Sequence, residues 1–122
     1  MVRQHLALVT VVVVICFAAL LSLKSRSSAK LDKCFTNVNQ VVAPAVERYM
    51  TEHQGQPPSS LADLVPGCLD KLPKCPAAAQ MTYVLELNPK NGYPFDVYCS
   101  GYHHPDAPPD FPRIATALRR EP

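Results

Sequence analysis

The sequence predicts an α+β protein, helical through its first half and closing in a small β-hairpin head. Three observations carry this. Residues 6–23 form an apolar run broken only by Thr10 and Ser22. After it, Leu31, Cys34, Phe35, Val38, Val41, Val42, Ala45, Val46, Tyr49 and Met50 recur at the three- and four-residue spacing of one helical face. Finally, two β-rich stretches, 81–87 and 95–99, flank a loop containing Pro89, Gly92 and Pro94.

The apolar run holds about 18 residues, which at roughly 1.5 Å each approaches the thickness of a bilayer hydrocarbon core. No ionisable group interrupts it, and the β-branched residues of 9–15 are no handicap in lipid, where a helix satisfies its own backbone. Residues 1–24 are therefore read as a transmembrane anchor. A cleaved signal peptide is the competing reading, since Arg3 supplies a basic start and Ser27, Ser28 and Ala29 are small. Against it, the run is long, and Lys24 and Arg26 separate it from that cleavage point. Cys16 is not a lipoprotein site, because Ile15 stands where a small residue is needed.

Residues 25–54 continue the anchor as an amphipathic helix, with no proline or glycine before Pro44. That proline removes a hydrogen bond to Gln40 and is expected to bend the rod. Gly55, Pro57 and Pro58 end it. Residues 55–104 make the head. Ser60, followed three residues later by Asp63, has the form of a capping box that opens one or two helical turns carrying Leu61 and Leu64; Pro66 and Gly67 stop them. If Leu87 faces Phe95 across the hairpin, Cys99 stands opposite Tyr83, near the arriving Cys75. Residues 105–122 are a proline-rich tail, with a short helical fragment expected at 115–120.

A net charge of +2, the absence of basic blocks and sparse aromatics exclude nucleic-acid binding and a polybasic lipid-binding role. Membrane lipid is the expected contact of the anchor. Lys24, Arg26, Lys30 and Lys33 outweigh Arg3 and favour a cytoplasmic head, whereas cysteine usage favours an oxidising compartment. Cys34, Cys68, Cys75 and Cys99 form an even set in a head too small to be comfortably stable unaided. Two disulfides are expected. Cys75 with Cys99 suits the register and leaves Cys34 with Cys68, although four cysteines allow three connectivities.

The end of the head carries residues of chemical interest. His103 and His104, with Cys99, Asp106 and Asp110, are metal-ligand types. Adjacent histidines point different ways in extended chain, and Cys99 is taken up by a disulfide, so neither zinc nor calcium is expected. Cys75 with either histidine lacks an orienting third group, so the chain is read as no enzyme and without cofactor. Tyr83 and Leu85, with Met81 and Leu87, are assigned mostly to the core. Tyr93 is the aromatic expected to be exposed, and Tyr93, Pro44 and Tyr49 are the candidates for partner contacts.

The order Cys34, Asn37, Tyr49, Pro58-Ser59-Ser60-Leu61, Cys75-Pro76-Ala77-Ala78, Tyr83, Cys99-Ser100-Gly101 and His104 resembles the heads of bacterial type IV pilin-like proteins, the pseudopilins. More narrowly, it resembles the cysteine-containing group with a Cys-Pro-Ala turn and a Cys-x-Gly-x-x-His end. The resemblance implies a helix that is half anchor and half spine of a small antiparallel sheet. It implies a head in the periplasm, an anchor in the bacterial inner membrane, and partners among other pilin-like subunits or secretion-machine proteins. The implied role is a structural or accessory subunit of a type IV pilus or type II secretion-like machine. The sequence departs from the family where a glycine for prepilin cleavage, a following phenylalanine and a helix glutamate belong. That departure keeps a membrane-tethered binding module outside any filament as the alternative.

Overall fold

The computed structural model describes residues 1–90, 92–105 and 107–114. The helical fragment expected at 115–120 lies outside the described residues. Helix α1 (Val2–Thr36) passes through a π-helical turn (Asn37–Val42) into α2 (Ala43–Glu52). Together they form one 51-residue helix, Val2–Glu52. Its amino-terminal part is long and apolar enough to cross a membrane, a criterion that a signal sequence near the amino terminus also meets. Cys34 is the one buried residue of α1, so the apolar side chains before it, from Leu6 to Leu23, are exposed on every face.

The carboxyl-terminal part is the spine of the head. Cys34, Val38, Val42 and Val46 are all fully buried on one face at a constant spacing of four. Three α-turns take only about 11 residues, so such a row would drift around an ordinary helix. The wider π-turn absorbs the surplus residue and keeps the row facing the sheet. Pro44 then falls at the start of α2, where a missing N–H is tolerated, and the Ala43 N–H bonds to the Val38 carbonyl. The disturbance expected at Pro44 thus takes the form of a π-turn before it, and the helix runs on.

At its end the His53 N–H bonds to Tyr49 and Met50, and the Gly55 N–H to Met50 at 2.7 Å. Gly55 itself takes φ +83°, the left-handed closure that glycine permits. The capping box forms as expected. Asp63 Oδ2 accepts from the Ser59 and Ser60 N–H groups at 2.9 and 3.1 Å and opens a single 3-10 turn (Leu61–Leu64). Leu61 and Leu64 are buried in the same core as the spine.

Strands β1 (Tyr83–Leu87) and β2 (Phe95–Cys99) pair antiparallel with Tyr83 opposite Cys99 and Leu87 opposite Phe95, the expected register. Tyr83, Phe95, Val97 and Cys99 join the core, and Leu85 packs partly against it. Met81 and Leu87 are exposed rather than core. On the opposite face Glu86 stands directly across from Asp96, a like-charge pairing that would be unfavourable alone. Arg113 resolves it: Nε bonds Asp96 Oδ2 at 3.0 Å, Nη2 lies 3.3 Å from Glu86 Oε2, and the guanidinium sits 4.4 Å from the Tyr98 ring centre. The Cys99 N–H also bonds to the Pro112 carbonyl, so this late segment lies along β2.

Candidate functional site

The four head cysteines do not form the two expected disulfides; all five cysteines of the chain are free thiols. Cys68 is the clearest correction. It follows the 3-10 turn, its N–H bonds to the Leu64 carbonyl, and its sulfur lies 3.9 Å from Glu52 Oε2, at the far end of α2. Cys34 sits 18 residues earlier on the same continuous helix, roughly 25 Å away at the rise of a helix. A Cys34–Cys68 bond is therefore excluded by the rigidity of the spine.

Cys75 and Cys99 do approach each other as the register implied, but Cys34 and His104 meet them. The three sulfurs and one imidazole nitrogen all lie within 4.8 Å of one another, and all four residues are buried. Each comes from a different part of the head. Cys34 projects from the last turns of α1, and Cys75 precedes a tight turn closed by the Ala79 N–H to Cys75 carbonyl bond and the Cys75–Gln80 bridge. Cys99 ends β2. His104 returns from the loop beyond it, with Nε2 at 3.8 Å from Cys75 Sγ.

Gly101 makes that return possible. It takes φ +84°, and a Cβ there would stand 3.3 Å from the His103 ring, which packs over it. His103 and His104 point to different environments, as adjacent residues in extended chain do, and only His104 joins the cysteines. Asp106 lies outside the described residues.

Polar groups surround the cluster. The Tyr83 hydroxyl lies 3.5 Å from Cys34 Sγ and accepts a bond from Asn37 Nδ2 at 3.0 Å. Asn37 Nδ2 also donates to the Lys74 carbonyl at 3.2 Å, which ties the spine to the segment carrying Cys75. Thr82 Oγ1 lies 3.2 Å from Cys99 Sγ. The Cys99 thiol is lowered to about 5, chiefly because the Cys34 S–H donates to its thiolate, with the Thr82 hydroxyl helping and burial opposing. The Cys34 thiol is correspondingly pushed up by holding that shared proton, and by burial. Burial and the bond to Cys34 push the Tyr83 hydroxyl up as well, so it stays protonated.

The partner-contact candidates fare differently. Pro44 is exposed, whereas Tyr49 is half-buried with its ring stacked on His53 at 3.8 Å, and Tyr93 is half-buried. The exposed aromatic of the head is instead Tyr102, 79% accessible, beside Gly101. From the sequence, the four cluster residues divide between expected disulfides and a surface loop. The usable signal was Gly101 between Cys99 and His104, a turn that points the histidine back at the cysteine.

No protein-family model matches the chain, and neither curated proteins nor solved structures provide a match. What defines its class is the architecture: an α+β chain in which one amino-terminal helix, apolar in its first part, contacts a two-stranded antiparallel sheet, an arrangement consistent with a pilin-like organisation.

Proposed function

We propose that this chain is a membrane-anchored, pilin-like subunit with a structural rather than catalytic role in a type IV pilus or type II secretion-like machine. The observation that carries the reading is the division of labour along one unbroken helix. From Leu6 to Leu23 it is apolar and exposed all round, a polar, basic stretch follows, and from Cys34 onward one face is buried in the head. A side chain set of that kind gains nothing in water and much in lipid or against identical helices. Subunits associate by packing these helices, and the heads sit outside the cytoplasm. With the cysteines free, that orientation rests on the architecture and opposes the basic residues Lys24, Arg26, Lys30 and Lys33.

A second reading is a membrane-tethered binding module outside any filament. It is favoured by the absence of any carboxylate from residues 6–23, where a pilin-like helix would pair one with a neighbouring subunit's amine. The test is amine crosslinking of the full chain in intact membranes, with impermeant maleimide labelling of Cys68 to report the side of the head. A crosslinked ladder with Cys68 labelled from outside supports the filament subunit. Membrane-bound monomer alone leaves the tethered module, and extraction by alkaline carbonate defeats both.

A further inference from the structure

We propose that Cys34, Cys75, Cys99 and His104 form a closed, four-coordinate site for a zinc ion that clasps the helical spine to the hairpin. The donor set is three thiolates and one imidazole, the composition of structural zinc sites. Soft sulfur donors around a single nitrogen disfavour magnesium, calcium and manganese, and a full set of four protein ligands leaves no open position for chemistry on a substrate.

The geometry is close to what the ion requires. Tetrahedral zinc with bonds of about 2.3 Å to sulfur and about 2.0 Å to nitrogen places sulfur and nitrogen about 3.5 Å apart and two sulfurs about 3.8 Å apart. Cys75 Sγ and His104 Nε2 stand at 3.8 Å, and no pair in the cluster exceeds 4.8 Å. All four side chains are sealed from water, so the ion's charge would act in a low-dielectric setting beside three anionic sulfurs.

The surroundings are those of thiolates. A metal-bound sulfur cannot donate, so the Tyr83 hydroxyl at Cys34 and the Thr82 hydroxyl at Cys99 become donors to it. Asn37 fixes the Tyr83 hydroxyl from behind by donating to its oxygen. Metal ligands are held in this way by outer hydrogen bonds, and a disulfide would use none of them. A Cys75–Cys99 disulfide would also leave the Cys34 thiol and the His104 imidazole buried at the same point without a shared task. Finally, the two-stranded hairpin needs a staple. A lone hairpin is marginal in water, and a head this small has a structural metal among its few means of stability.

The experiment is metal analysis of the full chain, purified in mild detergent without chelator or reductant, together with its intact mass and the spectrum of its cobalt-substituted form. One equivalent of zinc, an unoxidised mass, and cobalt bands with the intensity and sulfur charge transfer of a tetrahedral thiolate site are expected. Cys99→Ser and His104→Ala should lose the metal, while Cys68→Ser and His103→Ala keep it. The wild-type zinc content and cobalt spectrum stand as readouts independent of whether the first two variants fold. A metal-free chain whose mass is lower by two hydrogens overturns the proposal in favour of a disulfide. Octahedral cobalt, or zinc lost equally in Cys68→Ser, overturns it as well. The membrane and filament reading survives or fails separately, since crosslinking and carbonate extraction do not depend on the metal.

Discussion

Replacing Arg113 with alanine tests whether the late segment of the chain is part of the folded head. Asp96 is only 2% exposed, and its carboxylate lies 3.0 Å from Arg113 Nε, whose side chain is 32% exposed. Removing one partner of a fully buried ion pair costs about 3–5 kcal/mol, and water around the half-open guanidinium reduces this to about 1.5–2 kcal/mol here. Loss of the cation over Tyr98 adds about 0.5–1 kcal/mol. Glu86, more exposed, is counted as contributing nothing. The expected cost is about 2–3 kcal/mol, a fall in Tm of about 10 °C or more for a head of this size. Thermal and urea unfolding of the full chain in mild detergent, followed by tyrosine circular dichroism, measures it. In the double variant Asp96→Ala, Arg113→Ala, the two losses should overlap by about 1–2 kcal/mol. Strict additivity, or a cost for Arg113→Ala below about 0.5 kcal/mol, would mean that Asp96 does not depend on this cation and that the segment is not docked.

Three further substitutions probe the core and the cluster. Leu64→Ala, at a fully buried position between the 3-10 turn and the spine, should destabilise by about 2–5 kcal/mol by urea denaturation; less than 1 kcal/mol, roughly, would mean the turn is not packed there. Gly101→Ala forces a side chain into a left-handed position against the His103 ring and should cost about 1–2 kcal/mol, whereas an unchanged Tm would show that the turn has another conformation. Tyr83→Phe removes the hydroxyl between Asn37 and Cys34 and should weaken zinc about 10- to 100-fold in a competition titration with a chromophoric chelator; unchanged affinity would remove Tyr83 from the support of the site.

The elements legible in the sequence are those decided by short-range chemistry. The capping box at Ser60 and Asp63, the stop at Gly55 and the Leu87–Phe95 register all depend on residues a few positions apart, where turn and capping rules are strong. The π-turn was legible only in hindsight, as a four-residue repeat from Cys34 to Val46 that exceeds the α-helical period. The disulfide expectation failed for a long-range reason. Cysteine count and domain size say that a staple is needed, but not which kind. The separation of Cys68 from Cys34 is set by an unbroken helix, and the meeting of Cys34 with His104 by a hairpin and a glycine turn far along the chain. Exposure of Tyr102 instead of Tyr93 likewise follows from how the loops fold back on the head.

The two ends of the head are held by different forces, and this separates the metal's contribution from that of the core. At the end farther from the apolar helix, Leu61, Leu64 and Leu69 pack against the spine, and the Cys68 and Leu69 N–H groups bond to the Leu64 carbonyl. Apolar burial and these local hydrogen bonds sustain that end without the cluster. At the nearer end Cys34 is the first buried residue of the spine, and the cluster there joins it to the Cys75 turn ahead of β1, the end of β2 and the return loop. If zinc closes that cluster, chelation removes the clasp while leaving the apolar contacts of the far end in place. Hydrogen exchange on the full chain in detergent should then show the Cys99 and Ser100 amides, bonded to Pro112 and Thr82, losing protection by at least about tenfold on chelation, while Cys68 and Leu69 change far less. Uniform loss across both ends would mean that the head unfolds as a single unit, and no loss at either would mean that the metal, where it binds, holds nothing that the core does not already hold.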